Sequence, residues 1–136
     1  MRVVAAELSD MQWLVDATSC VLTPGAKAIK AVDAAGQIRG MVAYDWWTEN
    51  ACYAHMAVDT PIAWRALLPA CFEYPFLECG KSVILALIPA HNAKSWGMAG
   101  HLGFRIVHTV RDGWAKGDNL HLLELRREDC RFLRRN

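Results

Sequence analysis

The chain has 136 residues, 54% of them hydrophobic and 21% charged, and a formal net charge of +1. That size fits one domain over 1–136, and the abundant Leu, Ile, Val and Trp without excess charge exclude a disordered chain. No apolar run nears the ~18 residues of a membrane span, the first ten residues are too soon acidic for a signal peptide, and near-neutral charge argues against bulk electrostatic binding of nucleic acid. The expectation is a soluble, cytoplasmic domain with no membrane partner.

Residues 2–7 read as a short first strand. A helix start follows, with Ser9 as cap, Gln12 reaching back to it, and Leu8 and Trp13 at the positions of a hydrophobic staple. Thr23-Pro24-Gly25 breaks that helix, which is expected to end near Leu22. Two strands at about 27–33 and 37–46 flank the hairpin Ala34-Ala35-Gly36. The second alternates, with Ile38, Gly40, Val42, Tyr44 and Trp46 on one face and Gln37, Arg39, Met41, Ala43 and Asp45 on the other. A fourth strand runs over about 51–58. Thr60 then caps a helix with Pro61 at its first position, where the missing N–H costs nothing. Pro69 and Pro75 are expected to kink or shorten it. The continuous apolar run 82–88 marks a fifth strand covered on both faces. A helix over about Asn92–Leu102 closes at Gly103. Strands at 104–110 and 119–125 end the chain, joined by a loop holding Asp112-Gly113 and Lys116-Gly117-Asp118.

Residues 1–78 carry five Lys/Arg against nine Asp/Glu, and residues 79–136 carry ten against five. Five arginines (Arg126, Arg127, Arg131, Arg134, Arg135) fall in the last eleven residues and read first as a solvated tail. The five cysteines, Cys20, Cys52, Cys71, Cys79 and Cys130, show no CxxC or close Cys/His pairing, so no metal site is expected and all five are taken as free thiols.

Asn92-Ala93-Lys94-Ser95 followed by His101-Leu102-Gly103-Phe104 resembles the Asn after the fifth strand, and the closing Leu-Gly-Phe, of the GNAT N-acyltransferase superfamily. The order β-α-β-β-β-α-β-α-β-β is similar to that superfamily's order. His55-Met56-Ala57-Val58-Asp59 resembles its fourth strand running into the acyl-CoA loop. Phe72-Glu73-Tyr74-Pro75-Phe76 and the ending 125–133 resemble small phage- or prophage-encoded members. The resemblance is firmest over about 50–133. It implies an α/β (α+β) domain whose mixed central sheet, flanked by helices, has parallel strands 4 and 5 splayed at their carboxyl ends. It also implies acetyl-CoA as cosubstrate and direct attack of an amine on the thioester.

The same resemblance implies site residues. Backbone at Ala57 and Val58 would meet the pantetheine arm and the thioester carbonyl. Thr60, Ile62, Ala63 and Arg65 would hold the pyrophosphate, and Asn92 and Ser95 would contact the cofactor from the next helix. The chain departs from the pattern in two places. The glycines of the usual Arg/Gln-x-x-Gly-x-Gly/Ala loop are missing from Thr60-Pro61-Ile62-Ala63-Trp64-Arg65-Ala66. The Tyr seven residues beyond the Asn, which protonates the leaving thiolate in many members, is Ala99 here. Each residue also has a plain structural reading: Trp64 as core packing, Arg65 as a solvated side chain, Asn92 as a helix cap.

For a base, alternation sets Tyr53, His55, Ala57 and Asp59 opposite Cys52, Ala54, Met56 and Val58. If the latter are core, His55 and Tyr53 face the substrate, and an imidazole is a suitable proton acceptor. Glu49 and His91 are weaker candidates, and no spacing assigns His91 a partner. His101, His108 and His121 read as surface or strand residues. The amine acceptor, a small molecule or a protein amino group, would be chosen by loops near 20–27, 44–50 and 111–118. Trp46, Trp47 and Trp114 would line a pocket, a partner surface or the packing between hairpins, and a homodimer is compatible with them. Two further classes stand beside the enzyme: a non-catalytic GNAT-fold interaction or virion-associated protein, and, more remotely, a DNA-base modifying relative.

Overall fold

A computed structural model describes residues 1–133. Its seven strands are β1 (Arg2–Ala5), β2 (Lys27–Val32), β3 (Ile38–Asp45), β4 (Ala51–Val58), β5 (Val83–Pro89), β6 (Arg105–Ala115) and β7 (Asp118–Arg126). They form one sheet in the order β1-β2-β3-β4-β5-β7-β6, antiparallel except for the β4–β5 pair. The helices are α1 (Met11–Thr18), α2 (Pro61–Leu67), α3 (Ala70–Glu73) and α4 (Ala93–Leu102), with a π-helical turn over Tyr74–Glu78. This is the mixed, helix-flanked sheet expected from the sequence.

The main core lies on one face of the sheet, where Tyr44, Cys52, Ile84, Leu123 and Leu125 pack with Ala63 and Leu67 of α2, Phe72 of α3 and Leu102 of α4. The opposite face is smaller and belongs to α1, whose Met11 and Leu14 pack on Met41 and Ala43. Alternation along β3 therefore sorts its residues between two cores instead of between core and water, and Gly40 to Asp45 are buried without interruption. Gly40 makes the α2 side possible. A Cβ there would lie 2.9 Å from Val58 Cγ1 and 3.2 Å from both Ala63 Cβ and Leu67 Cδ1, so only glycine lets α2 sit this close to the sheet.

Three local expectations are corrected. The first helix stops at Thr18, not near Leu22, because Ser19 takes a left-handed backbone (φ 59°) and returns its N–H to Val15. The Ser9/Gln12 capping box does not form. Asp10 instead accepts the Glu7 amide at 2.8 Å, Gln12 turns to Asp16, and Leu8 stays exposed rather than closing a staple. Most of the loop foreseen after residue 110 is strand, since β6 runs on to Ala115 through a register shift between Val110 and Ala115. Asp112 (φ 57°) shapes that bulge: its amide donates to Asn119 Oδ1 and its carboxylate accepts the Gly117 amide.

Pro69 and Pro75 act as foreseen. α2 ends at Leu67, the chain continues through a cis Leu68–Pro69 bond, and Pro75 falls within the π-helical turn. The apolar β5 is covered on both faces only in part, with Val83 and Ile84 buried and Leu87 exposed.

Candidate active site

The parallel pair is short. β4 and β5 are in register only at Ala51–Val83, Cys52–Ile84 and Tyr53–Leu85, after which β5 follows β7 as far as Pro89 while β4 stays with β3 as far as Val58. Residues 54–58 thus present one backbone edge to no strand, at a gap between the carboxyl ends of two parallel strands. In open α/β sheets such a divergence is where ligands enter. An extended ligand carrying amides can satisfy a strand edge of this kind. Ala57 and Val58 are on it, half-buried. The helices that follow the two strands bring their N-termini, α2 and α4, to the mouth of the gap.

At α2, Thr60 is extended (φ −143°, ψ 149°) and its Oγ1 accepts the Ala63 amide at 3.1 Å. Pro61 has no N–H, and Ala63 is fully buried. The Ile62 amide is therefore the one donor of the first turn left for an anion, although the whole segment was foreseen as a phosphate cradle. Ile62 is 57% exposed and Arg65 is exposed, while Trp64 is half-buried against the main core, as its structural reading held.

At α4, Asn92 Oδ1 accepts the Ser95 amide at 3.2 Å, and the Ala93 and Lys94 amides take no part in that cap. Ser95 is exposed. Ala99 is buried in the main core, so this turn of α4 carries a methyl group and no hydroxyl at that position. One residue before the cap, His91 Nδ1 donates to Asp118 Oδ2 at 2.5 Å. Asp118 begins β7, and no local spacing foretold this pairing across 27 residues.

His55 and Tyr53 lie on the face of β4 opposite Cys52 and Ala54, as alternation required, because those two are buried in the main core. That puts His55 on the α1 side of the sheet, in register with Ala43. Its Nε2 is buried with no hydrogen-bond partner among the described residues. Burial lowers its pKa, against an opposing pull from the Asp45 charge, which favours the neutral ring. An unpaired buried polar atom costs about 1–3 kcal/mol and needs a reason.

Asp45 was not singled out in the sequence. It is 1% exposed and on the same face, and its carboxylate accepts the Thr23 amide and hydroxyl, both at 2.6 Å. Burial works against its charge, but the Thr23 bonds and the Trp46 amide outweigh that and hold its pKa below the ordinary value. Together with the bond from Trp47 Nε1 to the Gly25 carbonyl, these contacts tie the loop between α1 and β2 to the carboxyl end of β3. An acid closing the apolar run from Gly40 to Tyr44 was the signal that could have revealed it.

Trp47 packs against Tyr44 and Tyr74, whereas Trp46 and Trp114 are 57% and 48% exposed. Cys52, Cys71 and Cys130 are buried, and burial pushes the Cys52 and Cys71 thiols up to about 12, which leaves them protonated and inert. No helix among the described residues is long and apolar enough to cross a membrane. Arg134 and Arg135 lie outside the described residues.

A sheet splayed between parallel strands 4 and 5, with a helix start on either side of the gap, is the GNAT-type acyltransferase fold. No family model and no curated protein matches the chain. Solved structures do. The spermidine/spermine N-acetyltransferase SpeG from Vibrio cholerae, in complex with manganese ions, is similar with a TM-score of 0.75 at 10% identity, over 92% of this chain and 91% of that one. A chimera of the Vibrio cholerae SpeG and hSSAT gives 0.77 at 10% identity, over 94% and 98%. A dodecameric spermidine N-acetyltransferase from Vibrio cholerae gives 0.73 at 11% identity, over 93% and 94%. At these identities the likeness is one of fold.

Proposed function

We propose that the chain is an acetyl-CoA-dependent N-acyltransferase that moves an acetyl group to an amine by direct attack on the thioester. The observation that carries this reading is the unpaired edge of β4 over residues 54–58, facing a gap of the kind a pantetheine arm fills. The arm would lie along Ala57 and Val58, whose backbone also stabilises the thioester carbonyl oxygen as charge develops on it. Asn92 and Ser95 would contact the cofactor from α4. Thr60, Ile62, Ala63 and Arg65 would border the pyrophosphate, with Arg65 replacing by charge what the capped amides no longer offer. His55 takes the proton of the attacking amine, and Tyr53 lines the same face. The reading includes a soluble cytoplasmic protein of the phage-related kind, as a single domain able to form homodimers. The amine is a small molecule or a protein amino group.

The deciding experiment is calorimetric titration with acetyl-CoA, followed by a thioester turnover assay with an amine panel. Saturable binding with turnover supports the enzyme. A second reading, a GNAT-fold interaction protein without catalysis, is favoured by one observation: Pro61 and the Thr60 cap leave the first turn of α2 a single amide, that of Ile62, to hold phosphate. Absence of binding at millimolar acetyl-CoA would remove the enzyme reading.

A further inference from the structure

We infer that the acceptor is a small primary amine with an apolar alkyl or aryl body, which lies on the uncovered face of β5 and β7; this rests on the acyl-transfer reading above. Register defines the face. Tyr53 pairs with Leu85, Leu87 with Leu122 and Pro89 with Leu120, so these side chains stand on the same side of the sheet as His55. Val110 of β6, paired with Leu120, extends it. The open face of an antiparallel sheet ordinarily carries polar side chains. Here Leu87 is 44% and Val110 43% exposed, and Leu85, Leu120 and Leu122 are half-buried. Among the described residues, none of these five joins the main core or the α1 core.

The face is continuous with the candidate site. Parallel register ends at Tyr53–Leu85, and His55 and Leu87 follow two residues further along each strand, on one side, where the strands part. His55 Nε2 is buried without a partner, and an amine nitrogen can pair it whichever tautomer the ring adopts. At the far side the β6 bulge folds against the floor. A Cβ at Gly113 would lie 2.8 Å from Leu120 Cβ and 2.9 Å from Val110 Cβ, so bare backbone borders the apolar surface there.

Charge argues against a polycationic body. Strands β3 to β7 carry four acids, and each is engaged: Asp45 by Thr23, Asp112 by the Gly117 amide, Asp118 by His91, and Glu124 by Arg105 and Arg126. Arg105 and Arg111 are exposed on β6 and would repel a second ammonium. Such a group would lose its water over leucine without gaining a partner. A second copy of the chain is the poorer occupant, because two register shifts break the adjoining β6, a device that keeps sheet edges from pairing.

The test measures acetyl transfer to ethylamine, butylamine and hexylamine, which are nearly equal in basicity, and to phenethylamine and spermidine. For the wild type, kcat/KM is expected to rise about threefold per added methylene, with spermidine at least about tenfold below hexylamine. Leu122→Glu is expected to lower the hexylamine-to-ethylamine ratio about tenfold and to bring spermidine above hexylamine. Leu122→Ala, a milder change should the acid prevent folding, is expected to lower the same ratio about threefold. A ratio that neither variant alters would overturn the inference, as would a wild type that prefers spermidine. Variants that turn a dimer into a monomer by analytical ultracentrifugation while the ratio holds would give the face to a second copy and overturn it too. A wild type that acetylates none of the five amines removes the acyl-transfer reading along with the inference; turnover indifferent to the amine's body removes only the inference.

Discussion

The two helix starts at the mouth of the gap look equivalent in sequence and differ in structure. Thr60 and Asn92 each cap an amide three residues on, at 3.1 and 3.2 Å. At α2 the cap and Pro61 together leave only the Ile62 amide free in the first turn, and the helix is pressed onto the sheet over Gly40. At α4 the Ala93 and Lys94 amides are outside the cap, and a Cβ at Gly97 or Gly100 would meet nothing within 4 Å. One side of the gap is closely packed and poor in donors, the other richer in them. A capping residue therefore secures a helix start and says nothing about its use, because the hydrogen bond that satisfies the helix also withdraws a donor from any ligand.

The largest expected effect breaks the packed side. Gly40→Val drives new methyl groups into Val58, Ala63 and Leu67 and is expected to cost about 1–3 kcal/mol in denaturant unfolding. The capping pair sharpens the contrast. Thr60→Ala and Asn92→Ala should each cost about 1 kcal/mol of stability, yet only Asn92→Ala should weaken acetyl-CoA, by about tenfold in calorimetry. Thr60→Gly, a cap change worth only about a few tenths of a kcal/mol, frees the Ala63 amide and is expected to tighten the cofactor. On the same side, Arg65→Ala should weaken acetyl-CoA more than its dephosphorylated pantetheine thioester. On the α4 side, Gly97→Ala should raise stability by up to ~1 kcal/mol, because the helix gains propensity and a Cβ there meets no neighbour.

The smallest effect belongs to His55, between the two sides. Its folded pKa lies below the unfolded value of about 6.5, so below that pH the unfolded chain binds a proton the folded chain refuses. Stability from this group is full above pH ~6.5 and falls as the pH drops below it. Thermal melts of His55→Gln should lack that limb, and an unaltered pH profile would contradict its burial.

Much of this molecule was legible in its sequence where the signals are local. The bounds of β4, the Thr60-Pro61 start of α2, the Asn92 cap and the Gly103 stop of α4 each follow from a residue whose own backbone or side chain decides the matter within a turn. Alternation alone put His55 and Tyr53 on the face away from the main core. Tertiary structure decided the rest, for physical reasons that spacing does not encode. α1 stopped early on a left-handed Ser19, a conformation that a nearby glycine would have announced. β6 ran past its expected end because its ladder with β7 continued beyond the bulge at Asp112. Asp45 became a buried anchor because Thr23, 22 residues away, bonds its carboxylate, and His91 acquired a partner only when the β6–β7 hairpin returned Asp118 to the end of β5. A buried charge or an aimed imidazole depends on which distant groups share its surroundings, and only the completed sheet brings those groups together.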